Sequence, residues 1–321
     1  MLVYVPLEHI DGRYTVHMDR DIEAYLNAEG LEYVKVMPTT ETPSLPEGQF
    51  LNAAFTSKFK ALQIAEISAM FESGKINDGD TIFFSDIWFP GIESIAYMKY
   101  FTKKDVKITG IIDTDFVRDM ERWAKNFEDI IFDISDTIYC ASNFIKDDII
   151  KKRMVDPNKL VVTGLPVDYS GLDQHLGQDK ENIVIFNGRL CDEKQPWLFD
   201  ELTKQVQARV DFPVRFVKTQ EENLSKEEYY SLLGKSKVIA SYALQENFGF
   251  GVAEAVYLGC QPVLPNRLVY PELYPNFELF DNFDQSVEMT INALTDYRLP
   301  YAQFKEQEEI FDVWFPRQDD L

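Results

Sequence analysis

Gln245-Glu246-Asn247-Phe248-Gly249-Phe250-Gly251-Val252-Ala253-Glu254-Ala255 sets two carboxylates, with seven residues between them, on either side of a glycine-rich passage. The stretch follows an apolar run, Ser236-Lys237-Val238-Ile239-Ala240-Ser241, of strand character, and leads into Val252 to Leu258, whose spacing predicts a helix. Gly249 and Gly251 let a backbone come close to a phosphate, and the first N–H groups of the helix are free to hold its charge. Glu254, one turn in, is spaced to reach ribose hydroxyls, and Glu246 on the loop to reach a sugar. Together these features read as a nucleotide-sugar site. Glutamates are common on helix surfaces, so the neighbouring sequence has to support the reading.

Outward from this stretch, strand and helix patterns alternate. Residues 2–7 open a strand, His17 to Asn27 a helix, Glu32 to Met37 a strand, Ser57 to Phe71 a helix and Thr81 to Phe84 a strand. Helix Ile92 to Phe101, strand Val106 to Ile112, helix Phe116 to Phe127, strand Thr137 to Cys140 and helix Asn143 to Met154, capped at Ser142-Asn143, complete a first series. A second series has strands Ile183 to Phe186, Val214 to Val217, Val238 to Ala240 and Pro262 to Leu264. Its helices are Trp197 to Val206, Lys226 to Leu233, Val252 to Leu258 and Gln285 to Leu294. Such alternation calls for parallel sheets covered on both faces. The expected fold is α/β: two facing Rossmann-like, doubly wound domains with the active site in the crevice between them. The expected boundaries are 1–165 for an acceptor-binding domain, 166–180 for a linker, 181–300 for a nucleotide-sugar domain and 301–321 for a tail packing back on the first domain.

At 321 residues, with 45% apolar residues, the chain is long enough for two cores. No apolar run approaches the roughly 20 residues of a membrane-spanning helix, and the N-terminus has no signal-like segment, so a cytoplasmic protein without a membrane partner is expected. Cys140, Cys191 and Cys260 are far apart and lie in or beside apolar stretches, which predicts core thiols. The net charge of −22 argues against general nucleic-acid affinity. Residues 95–165 are neutral, however, with twelve basic and twelve acidic residues. Within them Lys99, Lys103, Lys104 and Lys107 form one basic cluster, and Lys151, Lys152, Arg153 and Lys159 another. Each cluster reads as solvated helix ends or as a local acceptor-binding surface.

Strand ends supply the remaining candidates. Asn187-Gly188-Arg189-Leu190 closes the first strand of the second series, with Lys194 five residues past Arg189. A guanidinium fork and a point charge together suit a diphosphate leaving group. Asn266 to Glu272 follows a later strand and is placed to border the same crevice. In the first series, Ile112-Asp113-Thr114-Asp115 reads as an acceptor- or sugar-orienting pair, a metal-binding Asp-x-Asp, or a helix cap at Asp115. Trp88 reads as a stacking platform or a core residue. His9 and His17 flank Asp11-Gly12-Arg13, which suits acceptor contact or plain surface better than a metal.

The glutamate pair with its glycine loop, Gly188-Arg189 with Lys194, and Val162-Thr163-Gly164-Leu165-Pro166 resemble the retaining GT-B glycosyltransferases of the family 4 type. The run from Glu254-Ala255-Val256-Tyr257-Leu258-Gly259-Cys260 through Asn266-Arg267-Leu268-Val269-Tyr270-Pro271-Glu272-Leu273 is similar to the carboxyl domain of the tRNA-queuosine mannosyltransferases. Val3-Tyr4-Val5-Pro6-Leu7-Glu8 and Asp86-Ile87-Trp88-Phe89-Pro90-Gly91 are similar to bacteriophage glycosyltransferases. The donor-side resemblance covers about residues 160 to 275, and the N-terminal one is looser.

The resemblance implies catalytic roles for Glu246, Arg189 and Lys194, and donor contacts from Gly188, Arg189, Lys194, Asn247, Phe248, Gly249, Phe250, Gly251 and Glu254. Position at strand ends adds Asp113 to the expected catalytic set and gives His9, Arg13, Trp88 and Asp115 as expected acceptor contacts. Where the family often has a histidine at a strand end, this chain has Asp113. The implied reaction is metal-independent and cofactor-free transfer of a hexose, from UDP-glucose or else GDP-mannose, with retention. A hydroxymethylated pyrimidine in phage-type DNA is the expected acceptor. Alternatives are a protein, lipid or small-glycan hydroxyl, a noncatalytic sugar-nucleotide-binding protein, and a nucleotide-sugar epimerase.

Overall fold

The computed structural model describes residues 1–10, 14–40, 52–87, 91–112, 122–300 and 304–317. These divide into two compact units, Met1–Pro166 with Gln307–Leu321, and Val167–Glu306.

The first unit alternates β1 (Leu2–Val5), α1 (Thr15–Ala28), β2 (Tyr33–Lys35), α2 (Ala53–Glu72), β3 (Thr81–Phe84), α3 (Ile92–Thr102), β4 (Lys107–Ile112), α4 (Arg122–Ile134), β5 (Thr137–Cys140), α5 (Asn143–Lys152) and β6 (Leu160–Val162). The strands form one parallel sheet in the order β2-β1-β3-β4-β5-β6. Strand side chains alternate between faces, and both faces of this sheet are buried, which explains the near-continuous apolar runs. Val3, Ile82, Ile108 and Ile138 belong to one core cluster with Ile67, Ile95, Ile131 and Ile145 of the surrounding helices. The next residues along the strands, Tyr4, Phe83 and Tyr139, are buried in an aromatic layer.

Helix α4 sits later than the expected Phe116 to Phe127. Its buried positions, Ala124, Glu128, Ile131 and Phe132, follow the three-and-four spacing of a helix face and carry it to Ile134. Residues 113–121 lie outside the described part.

The second unit holds α6 (Tyr169–Leu172), β7 (Glu181–Phe186), α7 (Pro196–Gln207), β8 (Arg215–Lys218), α8 (Lys226–Lys235), β9 (Ser236–Ala240), α9 (Phe250–Tyr257), β10 (Gln261–Val263), α10 (Tyr270–Leu273) and α11 (Phe283–Thr295). Its parallel sheet has the order β10-β9-β7-β8, with Ile185 opposite Ile239. The strand order reverses at β7/β9, as it does at β1/β3 in the first unit, and ligands of open α/β sheets bind at the carboxyl ends of strands at such a point. Residues 167–180, read from sequence as part of a polar linker, include the buried Val167, Leu172 and His175 and belong to this unit.

The last helix, α12 (Gln307–Trp314), packs on the first unit. Trp314 meets Phe83 and Tyr139 at ring-centroid distances of 5.8 and 6.3 Å, and its indole N–H donates to Thr163 Oγ1 at 3.1 Å. Tyr25 of α1 donates to Asp312 at 2.6 Å. No helix of the described residues is long and apolar enough to cross a membrane. Cys140 and Cys260 are buried, as expected of core thiols, and burial pushes both up to about 12. Cys191 departs from that expectation: it is only half-buried, in the turn before Asp192.

Candidate donor site at the β7/β9 switch point

Strands β7 and β9 are neighbours, so the loops that follow them, 187–195 and 241–249, lie side by side. Three contacts join these loops. The Leu244 N–H donates to the Glu193 carbonyl at 2.7 Å. Lys194 Nζ donates to the Gln245 carbonyl oxygen and, at 3.1 Å, to Glu246 Oε2. Arg267 braces the second loop, donating through Nε to Ala243 O at 3.1 Å and through its terminal nitrogen to Tyr242 O at 3.0 Å. The Ser241 hydroxyl shares a 2.8 Å hydrogen bond with Tyr270. The Glu246 carboxylate is thereby presented on a loop that is already ordered.

Gly249 caps α9 at φ +79°, a conformation that favours glycine, and the Glu246 side chain packs where a Cβ would lie, at 3.4 Å. Gly251, in the first turn of α9, needs glycine for space. A Cβ there would stand 2.5 Å from Asn187 Nδ2 and 3.3 Å from the Tyr229 hydroxyl. Gly188 likewise packs against the Phe186 ring and Lys194 Cβ. The glycines thus bring the turn after β7 and the start of α9 together, next to amides that a helix leaves without intrahelical acceptors. Phe248 is buried against Phe250 and Phe304, with centroids 5.0 and 6.4 Å away, so what it can offer a donor is backbone.

Glu254 sits one turn into α9 and accepts from Tyr229 at 3.3 Å and from Tyr230 at 3.2 Å. Tyr229 in turn accepts from Asn187 Nδ2 at 3.3 Å. Burial pushes the Glu254 carboxyl up to about 7, against the opposing hydrogen bonds of the two tyrosines and the charge of Lys226. Tyr229 is held well above the usual phenol range by burial and by the neighbouring Glu254 charge. Lys226 lies 5.0 Å over the Tyr230 ring and 3.6 Å from Asp168. The result is a chain of polar groups in which Asn187 donates to Tyr229, and Tyr229 and Tyr230 both donate to the buried Glu254 carboxylate.

The structure thus brings Gly188, Lys194, Glu246, Asn247, Gly249, Phe250, Gly251 and Glu254 to one strand edge. Arg189 is at the same edge, with its guanidinium ion-paired to Glu193. Asn187, Tyr229, Tyr230 and Arg267 were given no such roles in the sequence reading. Only the Tyr229-Tyr230 pair, on a helix started by the Ser225/Glu228 capping box, offered a local signal.

In the first unit, His9 Nε2 lies 2.6 Å from Asp19 Oδ2, and Lys35 reaches the same oxygen at 2.7 Å. His17 lies on α1. Arg13, Trp88, Asp113 and Asp115 lie outside the described residues. The second basic cluster is not a patch. Arg153 is buried and bonded to Glu128 at 2.9 Å, Lys152 pairs with Asp148 at 2.7 Å, and Lys159 donates to the Asp133 carbonyl at 2.6 Å.

No model of a known protein family matches the chain. Over 152 residues it is 31% identical to the tRNA-queuosine alpha-mannosyltransferase of Drosophila melanogaster, a match covering 43% of this chain and 38% of that protein. The match therefore spans well under half the length of this curated relative. Among solved structures, the chain is similar to trehalose-6-phosphate synthase, at a TM-score of 0.63 and 12% identity over 97% of this chain and 94% of that one. It is also similar to a glycosyltransferase from Rickettsia africae, at 0.62 and 13% over 97% and 96%. The UDP-GlcNAc 2-epimerase of Methanocaldococcus jannaschii superposes at 0.60 and 12% over 98% of both chains. At these identities the likeness is one of fold, and the fold is α/β, of the GT-B glycosyltransferase kind, with two Rossmann-like domains.

Proposed function

We propose that the protein is a retaining glycosyltransferase that moves a hexose from a nucleotide-diphosphate sugar to an acceptor hydroxyl. The observation that carries this reading is Lys194 joined to Glu246 at the β7/β9 switch point, beside the Asn187–Tyr229–Glu254 chain. The 31% identity to a mannosyltransferase supports it.

In this reading Glu254 accepts from the ribose hydroxyls, Glu246 contacts the sugar, and residues 247–251 offer backbone N–H groups to the donor. Lys194, and Arg189 once it exchanges Glu193 for phosphate, neutralise the departing diphosphate. Charge grows on that group as the anomeric C–O bond breaks, so cations and helix-end amides stabilise the transition state more than the ground state. The acceptor oxygen bonds to the anomeric carbon on the face the leaving group vacates, and its proton passes to the departing diphosphate. Side-chain cations fill the charge-neutralising role, and no metal or cofactor is needed. Asp113 and Asp115, with His9, Arg13 and Trp88, are assigned to the acceptor.

UDP-glucose is the first donor to test and GDP-mannose the second. The acceptor we favour is a hydroxyl on a modified nucleobase, such as a hydroxymethylated pyrimidine of phage-type DNA, with the enzyme acting in the cytoplasm. The neutral 95–165 stretch in a chain of net charge −22 supports a nucleic-acid acceptor. The test is a thermal-shift screen of UDP-, GDP-, ADP- and dTDP-sugars, followed by mass spectrometry of hydroxymethylated and plain DNA with the best donor. A hexose-sized gain on hydroxymethylated DNA alone establishes the reading. An altered sugar nucleotide formed from donor alone replaces it with the epimerase activity that a chain of this fold also carries. A donor that binds without either product leaves a sugar-nucleotide-binding protein or a different acceptor.

A further inference from the structure

Three aromatic side chains at the end of α3 are displayed to solvent: Tyr97 is 64% exposed, Tyr100 65% and Phe101 63%. They form one cluster, with centroids 4.7 Å apart for Tyr97 and Phe101 and 5.1 Å for Tyr100 and Phe101. Large rings this exposed and this close together mark an interaction surface. Lysines are interleaved with them. Lys103 Nζ lies 4.2 Å over the Tyr100 ring, Lys107 is exposed, Lys104 reaches the Ile76 carbonyl, and Lys99 stands 3.3 Å from Asp136. Asp78, Asp105 and Asp136 stand among the lysines and Glu93 lies further along α3, and of the four lysines Lys103 and Lys107 have no ion pair among the described residues.

A groove runs from this cluster towards the carboxyl edge of the first sheet. It lies between α2 and α3, holds about 550 Å³, and is lined by Ile64, Ser68, Glu93, Ser94, Tyr97 and Met98. Helix α3 begins just after β3, near that edge, and ends about 16 Å away by the rise of a helix. A small acceptor at the sheet edge does not span that distance, whereas a polymer does.

Resting on the nucleic-acid reading of the acceptor, the geometry points to the Tyr97–Tyr100–Phe101 face, with Lys99, Lys103 and Lys107, as the docking surface for a nucleic-acid strand next to the modified base. Unpaired bases stack on the rings, the lysines hold phosphates, and the groove leads the strand to the sheet edge. This pairing of ring faces with cations is how single strands are held without sequence preference. It favours a strand over a lipid surface or a second copy of this chain. A lipid surface has no planar groups to stack, and a second copy would bring another −22 charges.

The test uses the full-length protein, a single-stranded oligonucleotide of about 20 nucleotides carrying hydroxymethylcytosine, and the free hydroxymethylcytidine nucleoside. Tyr100→Ala with Phe101→Ala is expected to weaken oligonucleotide binding by fluorescence anisotropy at least about tenfold, in line with the loss of stacked bases. The donor thermal shift and transfer to the nucleoside are expected to stay unchanged. Lys103→Ala with Lys107→Ala is expected to flatten the salt dependence of oligonucleotide binding. Anisotropy is read without donor, so oligonucleotide binding that depends on this face supports the surface even if no sugar is transferred. Transfer to the nucleoside with no oligonucleotide affinity overturns the surface and leaves the transferase reading standing. The surface is also overturned if the aromatic variant binds oligonucleotide like the parent while losing self-association or affinity for anionic vesicles.

Discussion

Lys194 Nζ joins two groups of one loop, the Gln245 carbonyl oxygen and Glu246 Oε2, the latter at 3.1 Å. Both partners are half-buried, so the pair is shielded more than a surface ion pair and orders the loop after β9. In the proposed reaction the donor diphosphate becomes a further partner for this cation.

Glu246→Ala should abolish transfer, with kcat lower by about 100-fold or more, while the fold stays intact. Donor affinity should fall less than kcat, because in the proposed reaction Lys194 still neutralises the diphosphate. Lys194→Ala should weaken donor binding and transfer together, and it leaves the Gln245 carbonyl without this partner. Steady-state kinetics with isothermal titration of donor separates the two, and near-normal turnover in Glu246→Ala would sink its assigned role.

The Glu254 carboxyl, pushed up to about 7 by burial, makes the protein sensitive to pH. Between the ordinary carboxylate range and pH 7 the folded chain keeps a proton that the unfolded chain has released. Its contribution to stability therefore falls as pH rises through that window, by on the order of 3 kcal/mol in all, and is level above it. Urea unfolding of wild type and Glu254→Gln at pH 4.5 to 8 should show this slope in the difference between them. Donor affinity should move the opposite way, rising through neutrality as the carboxylate forms to accept from the ribose, and Glu254→Gln should flatten that rise.

Gly251→Ala places a methyl 2.5 Å from Asn187 Nδ2, which is held in place by its bond to Tyr229. Displacing that amide should cost about 1–3 kcal/mol in thermal unfolding. It should also reduce donor affinity about tenfold, because the turn after β7 moves away from α9. A variant with unchanged donor affinity would separate this packing contact from the site.

Trp314→Ala empties a site between Phe83 and Tyr139 and orphans Thr163 Oγ1 from its indole donor. The expected cost is about 3–5 kcal/mol, read as a lower urea midpoint for the first unit. Donor binding at the β7/β9 edge should be untouched, since α12 belongs to the other unit.

Much of this molecule is legible in its local patterns. The apolar runs at Thr81 to Phe84 and Thr137 to Cys140 are strands with those bounds, and Ser142 caps α5 by accepting from Ile145 N at 3.2 Å. The glycine stretch at 249–251 begins a helix. Less legible were features that depend on packing. Arg153 sits in a basic run, yet its side chain is buried on Glu128, because the residue just past α5 meets the buried face of α4. Cys191 lies beside an apolar residue, yet a turn leaves it half-exposed.

By itself the sequence determined the elements and the chemistry at their ends. A period of two or of 3.6 residues decides strand or helix, and a glycine decides where backbone comes close, both through local sterics. Which ends meet was decided only by tertiary structure. Strand β9 pairs with β7 across the intervening residues 187–235, and this nonlocal pairing sets Lys194 against Glu246. The helices α8 and α9, packed side by side, set Tyr229 and Tyr230 on Glu254, and burial among them moves its carboxyl towards neutrality.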